Sequence, residues 1–357
     1  MKNWKITLIV ACIAVIVYLL FQIGVIVSVG IYQLNHPEPF TAYYIDDDDN
    51  DLTIVKLINN QNGDYCDVIA DVAIVNKLWL QDKNGKSHNV LSSRSMTDIA
   101  KNKDATGAVM FPWTGPFKND VYVKPNSNPT QQVSVPNNSS FGLMLMDSVR
   151  PGYWLQQVYS NEEGAHCQIQ FDINNIEGYP YSATIIIKYH LSSSGLKVQQ
   201  SIRNAINVPF AFGWNPEFIF KNSNISSGII TIPTLQAVDL DQSGFPTYDQ
   251  DYDVSEVIPI VDNSFSLANS SLDLNFYLNC TSLNLTSTRL ENPEMNYTIV
   301  VDQEPSYRYI RLMRTENGVS IQPLTALSDS FNNPLYSGLN VMNTDDPWYT
   351  SFTISLE

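Results

Sequence analysis

Residues 208–220 read V-P-F-A-F-G-W-N-P-E-F-I-F, an apolar and aromatic run interrupted by a Gly-Trp-Asn-Pro-Glu cluster. Strands do not carry such a cluster for packing alone. Outward from it the chain continues as short alternating apolar segments divided by Asn, Gly, Pro and Ser, which is strand chemistry. The clearest are 183–191 (ATIIIKYHL), 196–203 (LKVQQSIR), 297–301, 307–313 and 349–356, with a tight hairpin connection at 192–195. Past residue 40 no window sustains a long helical apolar period. No repeat of about 20–50 residues is present, which argues against a propeller. The pattern predicts a nearly all-β domain, a large sandwich of antiparallel sheets running continuously over 52–357.

With 357 residues, 44% of them hydrophobic and 11% aromatic, the chain can fill a substantial core. Charged residues make up only 16%, below the roughly 25% usual for soluble domains. Ser, Thr, Asn and Gln carry the polar surface instead, which points outside the cytoplasm. A net charge of −16 argues against nucleic acid or an anionic membrane face as a partner, since both need clustered Lys and Arg. Residues 7–31 (TLIVACIAVIVYLLFQIGVIVSVGI) are uncharged and exceed the roughly 20 apolar residues needed to cross a bilayer. Lys2 and Lys5 precede them, whereas Glu38 and the acidic run 46–49 follow, so the positive-inside bias puts the N-terminus in the cytosol. The expected organisation is a cytosolic N-terminus (1–6), one transmembrane signal-anchor helix (7–31), an acidic stalk (32–51) and a lumenal or extracellular domain (52–357). That is a single-pass type II membrane protein. A cleaved signal peptide with a small-residue site at 28–30 fits less well, because the apolar region is longer than the roughly 7–15 residues of a typical core.

Seven N-x-S/T sequons agree with that compartment: Asn137, Asn138, Asn224, Asn269, Asn279, Asn284 and Asn296. Cys12 lies in the expected span. Of Cys66, Cys167 and Cys280, two can form one disulfide; Cys66 with Cys167 is the preferred pair, although spacing does not fix connectivity. No Cys/His spacing suggests zinc. The segment 239–250 places Asp239, Asp241 and Ser243 like the first half of a calcium loop but ends on Gln250 instead of a bidentate Glu, so no metal is expected. Nothing in the sequence calls for a cofactor.

Several stretches, in one order, resemble the aldose 1-epimerase (galactose mutarotase-like) superfamily, including its glucose-6-phosphate 1-epimerase branch. Residues 108–122 (AVMFPWTGPFKNDVY) are similar to the family segment in which Pro-Trp is followed by Asn-Arg, and 138–154 to its Asn…His-Gly…Trp segment. Residues 178–180 (GYP) and the hairpin after them resemble its GYP strand pair, and 212–218 (FGWNPEF) its G-x-H-P-Y-F. Residues 245–247 (FPT), 272–276 (LDLNF) and 319–331 (VSIQPLTALSDSF) are similar to its P-T-G, D-x-x-F and E-P…F segments. The resemblance implies a β-supersandwich with a sugar-binding cleft. It also implies anomer interconversion, in which a Glu takes the proton of the anomeric hydroxyl and a His protonates the ring oxygen.

Carried over position by position, that chemistry is missing. Asn215 stands where the family has the His, and Gln322 where it has the Glu; neither amide titrates near neutral pH. The second His falls at Phe141, and the Asn-Arg pair at Gly115-Pro116, with Lys118 nearby. Asp273 alone matches a polar site residue. No catalytic residue is expected. The reading is a membrane-anchored mutarotase-like domain, catalytically inactive, whose partner is a carbohydrate or glycan. Asn215, Gln322, Asp273 and Lys118 would supply hydrogen bonds, with Trp113 or Trp214 as a stacking platform. The alternatives are a structural or accessory subunit with protein partners in a membrane complex, and an active aldose 1-epimerase using Lys118 or Asp273.

Overall fold

Alternation of side chains along extended backbone builds the molecule. In the strand Ala165–Ile176 the residues Ala165, Cys167, Ile169, Phe171 and Ile173 are buried, while His166, Gln168, Gln170 and Asp172 between them are not. This is the period of two of a strand with one apolar face. Repeated over many strands, it gives a thirteen-stranded and a nine-stranded sheet, every pairing antiparallel. The inward residues of both sheets meet in one hydrophobic core. The computed structural model describes residues 38–101, 105–124, 130–135, 152–256, 258–268, 276–334, 337–342 and 346–357. The expected segments 1–6 and 7–31, and Asn137, Asn138, Phe141, Asn269 and Asp273, lie outside the described residues. Among the described residues no helix is long and apolar enough to cross a membrane.

All five stretches expected from alternation form strands, Tyr179–Ser192, Gly195–Arg203, Tyr297–Gln303, Tyr309–Arg314 and Trp348–Leu356, the fourth beginning two residues later than expected. Ser192 pairs with Gly195 across the expected hairpin. The stretch 208–220 becomes three short strands, Pro209–Phe210, Gly213–Asn215 and Phe218–Ile219. Its even-numbered residues, Phe210, Phe212, Trp214, Phe218 and Phe220, are buried in the inter-sheet core. Only the odd-numbered face is left to carry a site.

Two expectations are corrected. Residues 40–51, assigned to an acidic stalk, are the first hairpin of the sandwich: Phe40–Asp47 pairs with Leu52–Asn59 in register from Phe40↔Asn59 to Asp47↔Leu52. The acidic run ends the first strand with Asp46 and Asp47 and enters the turn with Asp48 and Asp49; there the Asn50 side chain donates to Asp47 Oδ2 at 2.9 Å and Asp51 takes φ +52°. Aromatic and β-branched residues before the run favour a strand, and the Asp and Asn residues favour its turn. Nor do Cys66 and Cys167 form a disulfide; both, with Cys280, are free and buried. Burial pushes the Cys167 and Cys280 thiols up to about 12, so they stay protonated and behave as small apolar groups. Of the described sequons, Asn224, Asn284 and Asn296 are exposed. Asn279 is half-buried, and its amide donates to Asp251 at 3.1 Å.

Candidate functional site

The face of the thirteen-stranded sheet turned away from the inter-sheet core holds the site positions. Neighbouring strands there are Ala108–Met110, Gly213–Asn215, Gly318–Leu324, Tyr309–Arg314, Phe276–Asn279 and Gln236–Leu240. Val109, Trp214, Ile321 and Leu312 go into the core. By alternation Asn215, Gln322 and Arg311 face the other way. Asn215 is half-buried and Gln322 only 3% exposed. Gln322 Nε2 donates to Asn215 Oδ1 at 2.6 Å and to Ser320 Oγ at 3.1 Å, while Asn215 Nδ2 donates to the Ala105 carbonyl at 3.2 Å. The two amides satisfy one another, as buried polar groups must. Among the described residues no carboxyl or imidazole hydrogen-bonds either of them.

Around this pair the face is apolar. Met110, Val238, Tyr277, Tyr309, Leu324 and Leu327 form a buried cluster of their own. Gly213 makes room for it: a Cβ there would lie 2.7 Å from both Leu324 Cδ2 and Met110 Cε. Arg311 pairs in register with Gln322 on one side and Tyr277 on the other, and its guanidinium lies 5.6 Å from the Tyr277 ring centroid. No motif in the sequence marks Arg311, Tyr277 or Ser320. The strand alternation through 307–313 was the signal that could have picked out Arg311.

An open groove of about 620 Å³ is lined by Lys118, Asp241, Thr247, Asp329, Asn332 and Asn333 among others. Lys118 Nζ bridges to Asp241 Oδ2 at 3.0 Å. That bond, with the Phe245 and Ser243 N–H groups, holds the Asp241 carboxyl below its ordinary pKa. A carboxylate shifted in that direction is a poor proton acceptor near neutrality. Asp329 is 7% exposed and accepts from the Lys118 N–H and from the amides of Asn332 and Asn333. At Gly115-Pro116, where the resemblance expects the Asn-Arg pair, the backbone is closely packed. A Cβ on Gly115 would lie 2.6 Å from Ser328 Cβ, and Pro116 gives its carbonyl to the Asp329 N–H.

The expected stacking platforms are corrected. Trp214 is 0% and Trp113 1% exposed. Trp214 stacks on Phe352 at 4.9 Å, and its Nε1 donates to the Gly107 carbonyl at 3.0 Å. Trp113 is packed edge-on among Phe117, Tyr179 and Phe331. Both rings belong to the core because the even-numbered face of 208–220 and the turn after Met110 point inward. Asn215 and Gln322 are thus brought together, Lys118 lies in the groove, and Asp273 and Phe141 fall outside the described residues.

A sequence profile of the family described as aldose 1-epimerase matches residues 57–314, well over half of the chain. Solved structures share the fold. A galactose mutarotase-like protein from Clostridium acetobutylicum superposes with a TM-score of 0.72 at 15% identity, covering 90% of this chain and 98% of its own. A galactose 1-epimerase from Lactobacillus acidophilus gives 0.68 at 13%, covering 89% and 98%. An aldose epimerase homologue from C. elegans gives 0.65 at 16%, covering 89% and 99%. No curated protein sequence matches. Fold likeness at such identities says nothing about activity, but the profile match spans the strands that carry Asn215 and Arg311, and on it the chain belongs to the aldose 1-epimerase family.

Proposed function

We propose that this protein is a catalytically silent member of its family, a membrane-anchored lumenal or extracellular domain that binds a carbohydrate without interconverting its anomers. The observation that carries this reading is the 2.6 Å hydrogen bond between Gln322 and Asn215, at the two positions where the resemblance expects base and acid. Anomer interconversion moves a proton off the anomeric hydroxyl and another onto the ring oxygen, and each positioned acid or base contributes about 10²–10⁴-fold. A primary amide offers neither proton transfer. A buried apolar cluster beside the pair further narrows the space for a sugar hydroxyl.

The sugar site itself is assigned to the groove at Lys118, not to the buried tryptophans. Its volume suits a small ligand. Asp241, Thr247, Asp329, Asn332 and Asn333 present the mixed donors and acceptors that sugar hydroxyls require, with Phe245 as an apolar wall. Polarimetry on freshly dissolved α-D-glucose and α-D-galactose is expected to give the buffer rate; mutarotation that scales with protein concentration overturns the silent reading. Calorimetry across a panel of neutral saccharides is expected to find saturable binding that Lys118→Ala weakens by about tenfold or more, the scale of a charge-assisted hydrogen bond. Binding that is indifferent to Lys118→Ala removes the groove from the proposal, and no binding at all favours the structural role.

Support for the anchor is the uncharged segment 7–31 with its flanking charges, together with sequons at the exposed Asn224, Asn284 and Asn296. Alkaline carbonate extraction is expected to leave the chain in the membrane pellet, and removal of N-glycans to raise its mobility. Release into the supernatant sinks the anchor; an unshifted band sinks the glycosylated compartment.

A further inference from the structure

The outward face of the nine-stranded sheet carries a second constellation, unrelated to the family's site. Registers Tyr159↔His166 and His166↔His190 set three rings in a row across the strands Tyr153–Ser160, Ala165–Ile176 and Tyr179–Ser192. The rings stack, Tyr159 on His166 at 4.5 Å and 9°, and His166 on His190 at 4.3 Å and 11°. Lys197, opposite His190 on Gly195–Arg203, continues the row. The adjoining outward row is Gln157, Gln168, Lys188 and Gln199. Together these side chains line a recess of about 300 Å³.

A polar outward face on an antiparallel sheet is ordinary; the segregation of charge here is not. The chain carries a net −16, yet the residues lining the recess include two lysines and two histidines and no Asp or Glu. Lys188 and Lys197 are exposed, and among the described residues neither is in an ion pair. Local positive charge in an acidic molecule concentrates anions where it occurs. The histidines are also oriented. His166 Nε2 lies 3.3 Å from Asn161 Oδ1, which is fixed as an acceptor by the Glu163 and Gly164 N–H groups, and His190 Nε2 lies 3.3 Å from the Glu163 carbonyl oxygen. Each Nε2 therefore carries the hydrogen, and in the neutral ring Nδ1 is the free acceptor. An anion meeting the His166 Nδ1 is repelled until that nitrogen takes a proton, so at His166 binding and protonation are linked.

We infer that this recess binds a small ligand bearing a carboxylate, sulfate or phosphate group, held by Lys188 and Lys197 beside the stacked His166–His190 pair. The titratable groups around the pair are Tyr159, the Glu163 carboxylate on the hairpin, Lys188 and Lys197. Burial, then His190, pushes the His166 pKa down, and Glu163 opposes them. These surroundings favour the neutral His166 ring when no ligand is present. Affinity for an anion rises as the pH falls and the ring acquires charge.

The full-length chain is to be titrated with sodium D-glucuronate, inorganic phosphate, inorganic sulfate and, as control, neutral D-glucose. Saturable binding of at least one anion is expected, with none by glucose through this recess and several-fold tighter binding at about pH 5.5 than at about pH 7.5. Lys188→Glu/Lys197→Glu is expected to lower anion affinity at least tenfold with the unfolding midpoint unchanged, because both side chains are exposed. His166→Gln is expected to flatten the pH dependence. Preference for glucuronate identifies an acidic sugar and equal binding of all three anions a bare anion site; both support the inference. Anion binding that the lysine pair's reversal leaves intact, or glucose binding abolished by that reversal, overturns it. Lys118→Ala leaves this binding unchanged, which separates its outcome from that of the proposed sugar groove.

Discussion

Trp214→Ala is expected to lower the free energy of unfolding by about 3–5 kcal/mol, the usual cost of truncating a buried aromatic. The ring is wholly enclosed, stacked on Phe352 at 4.9 Å and met edge-on by Phe218 at 5.8 Å. Its removal leaves a cavity between the two sheets that neighbouring strands cannot collapse to fill. It also deletes the donor to the Gly107 carbonyl, although that oxygen keeps the Val75 N–H at 2.9 Å. Urea unfolding with an unchanged m-value checks the prediction. A stacking platform behaves in the opposite way: its loss weakens sugar binding and leaves stability close to wild type. A variant that stays stable and loses only affinity would return Trp214 to the site.

That contrast shows what the sequence made legible. The sequence singles out Asn215 and Gln322 beside Gly213, Pro216 and Pro323, and the structure joins the two side chains by a 2.6 Å hydrogen bond although 107 positions separate them. Strands were legible wherever one face is apolar, since the period of two is then written into the chain. Side-chain direction within 208–220 is not legible, because aromatic content on the even positions and a Gly-Trp-Asn-Pro cluster give competing accounts of the same tryptophan. Tyr277 is out of reach for another reason. It joins this face only through the order of strands in the sheet, Gln322 beside Arg311 and Arg311 beside Tyr277, which is a long-range property that no local window contains. The acidic run at 46–49 was misassigned because a turn and a linker favour the same residues. The pairing of Cys66 with Cys167 failed for a similar reason, as burial in a shared core and covalent bonding predict the same apolar neighbourhoods for a cysteine.

Gly107→Ala should cost about as much as the tryptophan truncation, by a different mechanism. Gly107 takes φ +83°, and a Cβ built there would lie 2.3 Å from the Val75 carbonyl oxygen. The residue is a junction. Its carbonyl accepts from the Val75 N–H and from Trp214 Nε1, and its own N–H donates to the Asn215 carbonyl. A methyl group therefore has to push apart strands on either side of Ala108–Met110, and with them the backbone that sets Asn215 against Gln322. Left-handed strain of about 1–2 kcal/mol and overpacking of about 1–3 kcal/mol together predict a loss of about 2–5 kcal/mol in denaturant unfolding. Gly63→Ala is the matched control. Gly63 has nearly the same φ, +79°, with nothing within 4 Å of the added carbon, so it should show only the backbone cost of about 1–2 kcal/mol. The difference between the two variants isolates the close approach of Gly107 to Val75. If they unfold at the same denaturant concentration, Gly107 does not hold the strand of Asn215 in place, and the fixed geometry of the amide pair must come from the Gln322 side of the sheet.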